Sequence, residues 1–141
     1  MEIVESKTPI MIISYRNCEI FCCHLDGYKT NKKALLDRLS KIEAFFLSKP
    51  SHARFRIWYN VDENSLDKQT MRLIIESISR LREHTYKIAF IGLEGFTKWR
   101  FHNILEQTPE NRGITKAYFT DAELAKEWLV WRPVRQSWHE V

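Results

Sequence analysis

The spacing of hydrophobic positions changes period several times along this chain, and each change marks an element. Residues 10–15 (IMIISY) and 18–25 (CEIFCCHL) are apolar, β-branched or aromatic runs separated only by Arg16 and Asn17, which predicts a tight antiparallel hairpin. After the turn signal Asp26-Gly27, residues 31–48 place Leu35, Leu39, Ile42 and Phe46 at helical offsets. Residues 53–61 (ARFRIWYNV) alternate, with Phe55, Ile57 and Tyr59 on one face and Arg54, Arg56 and Trp58 on the other. The two arginines suggest a strand partly open to solvent.

A polar stretch, Asp62-Glu63-Asn64-Ser65, leads into a second helix over about 66–83, whose inner stripe is Met71, Ile74, Ile78 and Leu81. The next strand, YKIAFIG, is apolar on both faces in its centre, as a buried parallel strand would be. A third helix over about 95–107 is expected to bury Phe96, Trp99 or the stem of Arg100, Ile104 and Leu105. A loop with Pro109 and Gly113 precedes a fifth strand, ITKAYF. Thr120 and Glu123 then have capping-box spacing before a helix with Leu124, Trp128 and Leu129 inward, and Arg132-Pro133 ends it. Strands alternating with helices imply crossovers onto a parallel sheet. The expected fold is therefore α/β, a five-stranded mostly parallel sheet with an antiparallel N-terminal hairpin and about four helices. It forms one domain over 1–141, with a core at about 8–131 and a tail at 132–141. That tail mixes tryptophans with arginines and is expected to pack back on the domain rather than clasp a partner.

Composition narrows the class without naming a function. The 44% hydrophobic and 28% charged shares are those of a globular protein with a packed core. Two glutamates precede the first apolar run, which is too short for a secretory signal, and no window approaches a membrane span, so a cytoplasmic location is expected. Cations concentrate at 28–56, where Lys29, Lys32, Lys33, Arg38, Lys41, Lys49, Arg54 and Arg56 face only Asp37 and Glu43. Such a run is first a solvated helix face and only second a nucleic-acid surface.

Candidate chemistry is sparse. Cys18, Cys22, Cys23 and His24 are metal-ligand types, but Cys18 and Cys22 would lie roughly 13 Å apart along a strand, too far for one zinc. They read as reduced core cysteines, and no metal or cofactor is expected. No nucleophile-base signature appears, and the five histidines are scattered, with His52 and His84 assigned to loops and His139 to the tail. The loop Gly92-Leu93-Glu94-Gly95 matches neither common phosphate-loop pattern, and Glu94 opposes an anion. Gly95, Thr97, Lys98 and Trp99 remain the candidates for ligand binding at that helix entry.

With the element order in place, KIAFIGLEGFTKWRFHNIL followed by AYFTDAELAKEWL resembles the STAS family, specifically its SpoIIAA-like branch, to which bacterial anti-sigma factor antagonists belong. The likeness of topology covers about 8–131. The resemblance implies a non-enzymatic regulatory module that binds a protein partner, a kinase-like regulator in the antagonists, or associates with itself. In that family a strand is followed by Asp-Ser-Ser-Gly, whose first serine is phosphorylated to release the partner. Here the corresponding stretch is Ser65-Leu66-Asp67-Lys68-Gln69-Thr70, in which Asp67 matches the aspartate and Lys68 stands in the serine's place. Ser65 and Thr70 are the only hydroxyls nearby. The expected partner surface is Asn64, Ser65, Asp67 and Lys68, extended by 95–99. The alternative is a small-molecule carrier or enzyme with a pocket at the carboxyl ends of the parallel strands. Nucleic-acid binding through the first helix ranks below both.

Overall fold

The computed structural model describes residues 10–62 and 66–131. Asn64 and Ser65, and the tail at 132–141, lie outside the described residues. The chain opens with strands β1 (Ile10–Tyr15) and β2 (Cys18–His24), paired antiparallel with Tyr15 opposite Cys18. Arg16 and Asn17 both take positive φ, 50° and 65°, the conformation that a two-residue hairpin loop demands.

Helix α1 (Lys32–Leu47) leads to β3 (Phe55–Asn60), and α2 (Lys68–Arg80) with a 3-10 turn (Arg82–His84) leads to β4 (Thr85–Ile91). Helix α3 (Gly95–Gln107) and a single turn, α4 (Pro109–Arg112), lead to β5 (Thr115–Phe119), and α5 (Ala122–Val130) follows. The sheet order is β1-β2-β3-β4-β5, with β2 to β5 all parallel. Chain order and sheet order coincide, so α1, α2 and α3 all pack on one face and α5 alone covers the other.

Alternation within the central strands builds both cores. In β2, Phe21 and Cys23 face the three-helix layer, while Ile20 and Cys22 face α5. In β4, Ile88 and Phe90 face the first layer and Ala89 and Ile91 the second. Strand β4 thus carries apolar side chains on both faces, as its sequence predicts. The stripe of α1 (Leu35, Leu39, Ile42, Phe46) and that of α2 (Met71, Ile74, Ile78, with Leu81 just beyond) are buried as read.

Several expectations are corrected by the tertiary packing. On α3 the buried side chains are Phe101, Ile104 and Leu105, whereas Phe96 and Trp99 stand 68% and 58% exposed. The inward face is set by the triplet 101, 104 and 105, and at about 100° per residue positions 96 and 99 fall about 130° and 165° from its centre, on the side turned away from the sheet. On α5, Ala125 and Leu129 are buried and Leu124 is exposed, because a small residue at 125 lets the helix sit close to the sheet. Asp121 rather than Thr120 caps α5, its carboxylate accepting from the Glu123 amide at 2.8 Å. His84, expected in a loop, instead ends the 3-10 turn after α2 and is buried, with Nδ1 2.8 Å from the Ala53 carbonyl. Strand β3 lies at the centre of the sheet, and Arg56 is half-buried because its Nε donates to the Leu129 carbonyl at 2.8 Å.

One polar contact locks α1 to α2. Glu43 accepts from the buried Ser77 hydroxyl at 2.6 Å and from Arg80 Nε and Nη2 at 2.8 and 2.9 Å. Burial works to raise the Glu43 pKa, but the bonds from Arg80 and Ser77 outweigh it and hold it below its ordinary value. Glu43→Ala leaves Ser77 without an acceptor and is expected to cost about 1–2 kcal/mol, read as a lower urea midpoint with unchanged slope.

Candidate functional site

The loops at the carboxyl ends of the parallel strands pack on one another. The ladder continues past the strands through Leu25 N to Asn60 O, Val61 N to Ile91 O and Gly92 N to Phe119 O. Gly92 has φ +100°, and a β-carbon there would lie 2.4 Å from Asp62 Oδ1 and 2.9 Å from its backbone nitrogen. The first glycine of the Gly-Leu-Glu-Gly loop is therefore a close-packing residue against the loop after β3. Gly95, at φ +56° with open space around it, turns the chain into α3. The N-cap of α3 is Glu94, which makes no side-chain capping bond.

Asp67 begins α2. Its carboxylate accepts from the Thr70 amide at 2.8 Å and from Lys32 Nζ at 2.8 Å. The Lys32 bond first, and the Thr70 bonds next, hold its pKa well below the carboxylate range. Asp67 is thus committed to joining the starts of α1 and α2. Thr70 is only 2% exposed, which removes its hydroxyl from the surface. Lys68, one residue after the cap, projects into solvent.

Lys68 meets the third helix there. A groove of about 200 Å³ between α2 and α3 is lined by Lys68, Arg72, Trp99, Arg100, Asn103 and Ile104, with Gln107 at its far end. A second hollow of about 250 Å³ continues it past Ile75, Glu76 and Thr108. Trp99 stacks on Phe96 with centroids 5.6 Å apart and planes at 23°, and Arg100 lies 5.7 Å from the centre of the Phe96 ring.

The structure therefore brings together Lys68 and Trp99, one from each end of the expected partner surface at 64–68 and 95–99. Gly95, Thr97 and Lys98 do not line this groove. Phe96, within the 95–99 extension, completes the surface together with Arg72, Arg100 and Asn103, which lie outside the expected site. The available signal was the i, i+3, i+4 spacing of Phe96, Trp99 and Arg100, with Lys68 and Arg72 at i, i+4. On α3 this spacing predicts a core stripe, and on α2 it lies off the inner face.

Among the described residues, no group of three or more His, Cys, Asp or Glu side chains is placed to hold a metal ion. Cys22 and Cys23 are buried, and burial pushes the Cys22 thiol up to about 11. Among the described residues no helix is long and apolar enough to cross a membrane. The fold and this groove define an α/β module with a cationic, aromatic-rimmed face on its three-helix layer. No family model matches the chain, and neither a curated protein nor a solved structure does.

Proposed function

We propose that this chain is a non-enzymatic regulatory module, resembling STAS domains of the SpoIIAA-like branch, that binds a protein partner through the α2–α3 face. The observation that carries this reading is the exposed Phe96–Trp99 stack beside Lys68, Arg72 and Arg100. Large aromatics and arginines dominate the energetics of protein interfaces, and this solvent-facing pair is of the kind found at their centres. The antiparallel hairpin followed by successive parallel units supports the family resemblance at the level of topology.

Asp67 is engaged in capping and in the Lys32 ion pair, Lys68 replaces the modifiable serine, and Thr70 is buried. The described residues thus offer no hydroxyl for a switch at the start of α2, and binding here is read as unswitched at those positions. The small-molecule reading has less support, because Gly92 is pressed against Asp62 and Gly95, Thr97 and Lys98 stand away from the α2–α3 groove.

The test is affinity capture from the native cell with wild type, Lys68→Glu and Trp99→Ala. The expected outcome is a partner retained by wild type and lost by both variants, while thermal stability changes by less than about 1 kcal/mol, as for other surface substitutions. A partner held equally by all three removes the α2–α3 face from the interface.

A further inference from the structure

The two hollows share Arg72, Ile104 and Gln107, so they form one trough running between α2 and α3. Each helix has 13 residues, which gives a trough of roughly 20 Å at about 1.5 Å per residue. Its ends differ in electrostatic character. At one end Lys68, Arg72 and Arg100 converge beside Trp99, and none of the three forms an ion pair among the described residues. Both helices follow parallel strands and start at the carboxyl end of the sheet, so their positive dipole ends lie on the side of Lys68 and Trp99. The other end holds Glu76 and Thr108, near the last carbonyls of α3. Between them the lining is apolar at Ile75 and Ile104 and amide-bearing at Asn103 and Gln107.

We propose that this trough receives an acidic amphipathic helix of the protein partner, about three to four turns long. Its carboxylates sit against Lys68, Arg72 and Arg100, an aliphatic side chain rests over Ile75 and Ile104, and its apolar edge packs on the Trp99 ring. The inference rests on the reading of the α2–α3 face as the partner surface and adds the chemistry of what lies there. Charge complementarity selects the occupant: three cations with no ion pair among the described residues at one end ask for several negative charges in a short span. A nucleic-acid strand fits less well, because Glu76 stands within the trough against a phosphate chain and the floor is aliphatic rather than a row of stacking platforms. Laying an apolar stripe into an interhelical groove is a recurrent mode of peptide recognition.

The probe is a synthetic helical peptide with leucines at i, i+3, i+4 and i+7 and glutamates elsewhere, compared with its all-glutamine counterpart and with an oligodeoxythymidine. Binding to the full chain is followed by fluorescence anisotropy, and the indole resonance of Trp99 by NMR. The glutamate peptide is expected to bind about tenfold more tightly than the glutamine peptide and to shift Trp99, with the advantage shrinking as salt rises. Lys68→Glu combined with Arg72→Glu is expected to abolish that preference while the rest of the amide spectrum stays folded. Equal affinity for the two peptides, tighter binding of the oligonucleotide, or no binding of either peptide overturns the proposal. If a natural partner is still lost on Trp99→Ala while the peptides show no charge preference, the acidic helix fails and the partner surface stands. If Trp99→Ala and Lys68→Glu release nothing from the native cell, the partner surface itself fails.

Discussion

Replacing Gly92 with alanine is expected to destabilise the fold by roughly 3 kcal/mol, the sum of left-handed backbone strain and overpacking. For a domain of this size that is a fall of roughly 10 °C in thermal midpoint. Gly92 sits at φ +100°, and the new methyl would meet Asp62 at its carboxylate and at its backbone nitrogen. The carboxylate can swing away. The nitrogen cannot, because it donates to Asn60 Oδ1 at 3.0 Å within a loop hydrogen-bonded on both sides. Combining Gly92→Ala with Asp62→Gly is therefore expected to recover only a minor part of the loss. Gly95→Ala is the control, since it has positive φ but open space around it and carries the backbone term alone, about 1–2 kcal/mol. Equal midpoints for the two single variants would show that the approach of the two loops imposes no constraint.

The second large effect is expected on the opposite face of the sheet. Lys87, on β4, donates from Nζ to the carbonyls of Trp128 and Trp131 at 2.9 and 2.8 Å and lies 4.8 Å from the centre of the Trp128 ring. Together with Arg56 on the Leu129 carbonyl, it satisfies three carbonyls at the end of α5 that a helix end leaves open. Lys87→Met keeps the stem and removes the donors. Two charge-assisted bonds are lost, but the burial of an ammonium is relieved, so the net cost is expected near 2 kcal/mol. Faster hydrogen exchange at Leu129 and Val130 would localise it to the end of α5.

Burial first, and then the nearby Arg56 charge, lower the Lys87 pKa below its ordinary 10.5. The folded state therefore releases this proton more readily than the unfolded one. In the alkaline range between the lowered value and 10.5, wild type is expected to gain stability relative to Lys87→Met as pH rises. A difference that shrinks with pH over that range would contradict the assignment.

Elements were legible where one periodicity applied without competition. The stripes of α1 and α2 and the two-faced apolar run of β4 each follow from side-chain spacing, and the Arg16-Asn17 hairpin from turn chemistry. Legibility failed on α3 and α5, where aromatic and aliphatic residues occupy more than one face. Periodicity alone then admits several inward stripes. Only the neighbours, Phe90 against Phe101 and the sheet beneath Ala125, choose among them.

The candidate site was half legible for the same reason. Lys68 and Trp99 could each be picked out locally, but they lie on different helices, and their meeting depends on β3, β4 and β5 being neighbours in order. Local spacing on α3 predicts Phe96 and Trp99 as core, and their exposure is what makes them a surface feature. The amino-acid order by itself determined the succession of strands and helices, their amphipathic faces and the α/β class, since these depend on contacts among residues close in the chain. Which of two competing faces is buried, which cations anchor α5, and which residues converge on the α2–α3 groove were decided only in three dimensions. Those outcomes depend on volume and hydrogen-bond satisfaction between segments distant in sequence, and no local pattern records them.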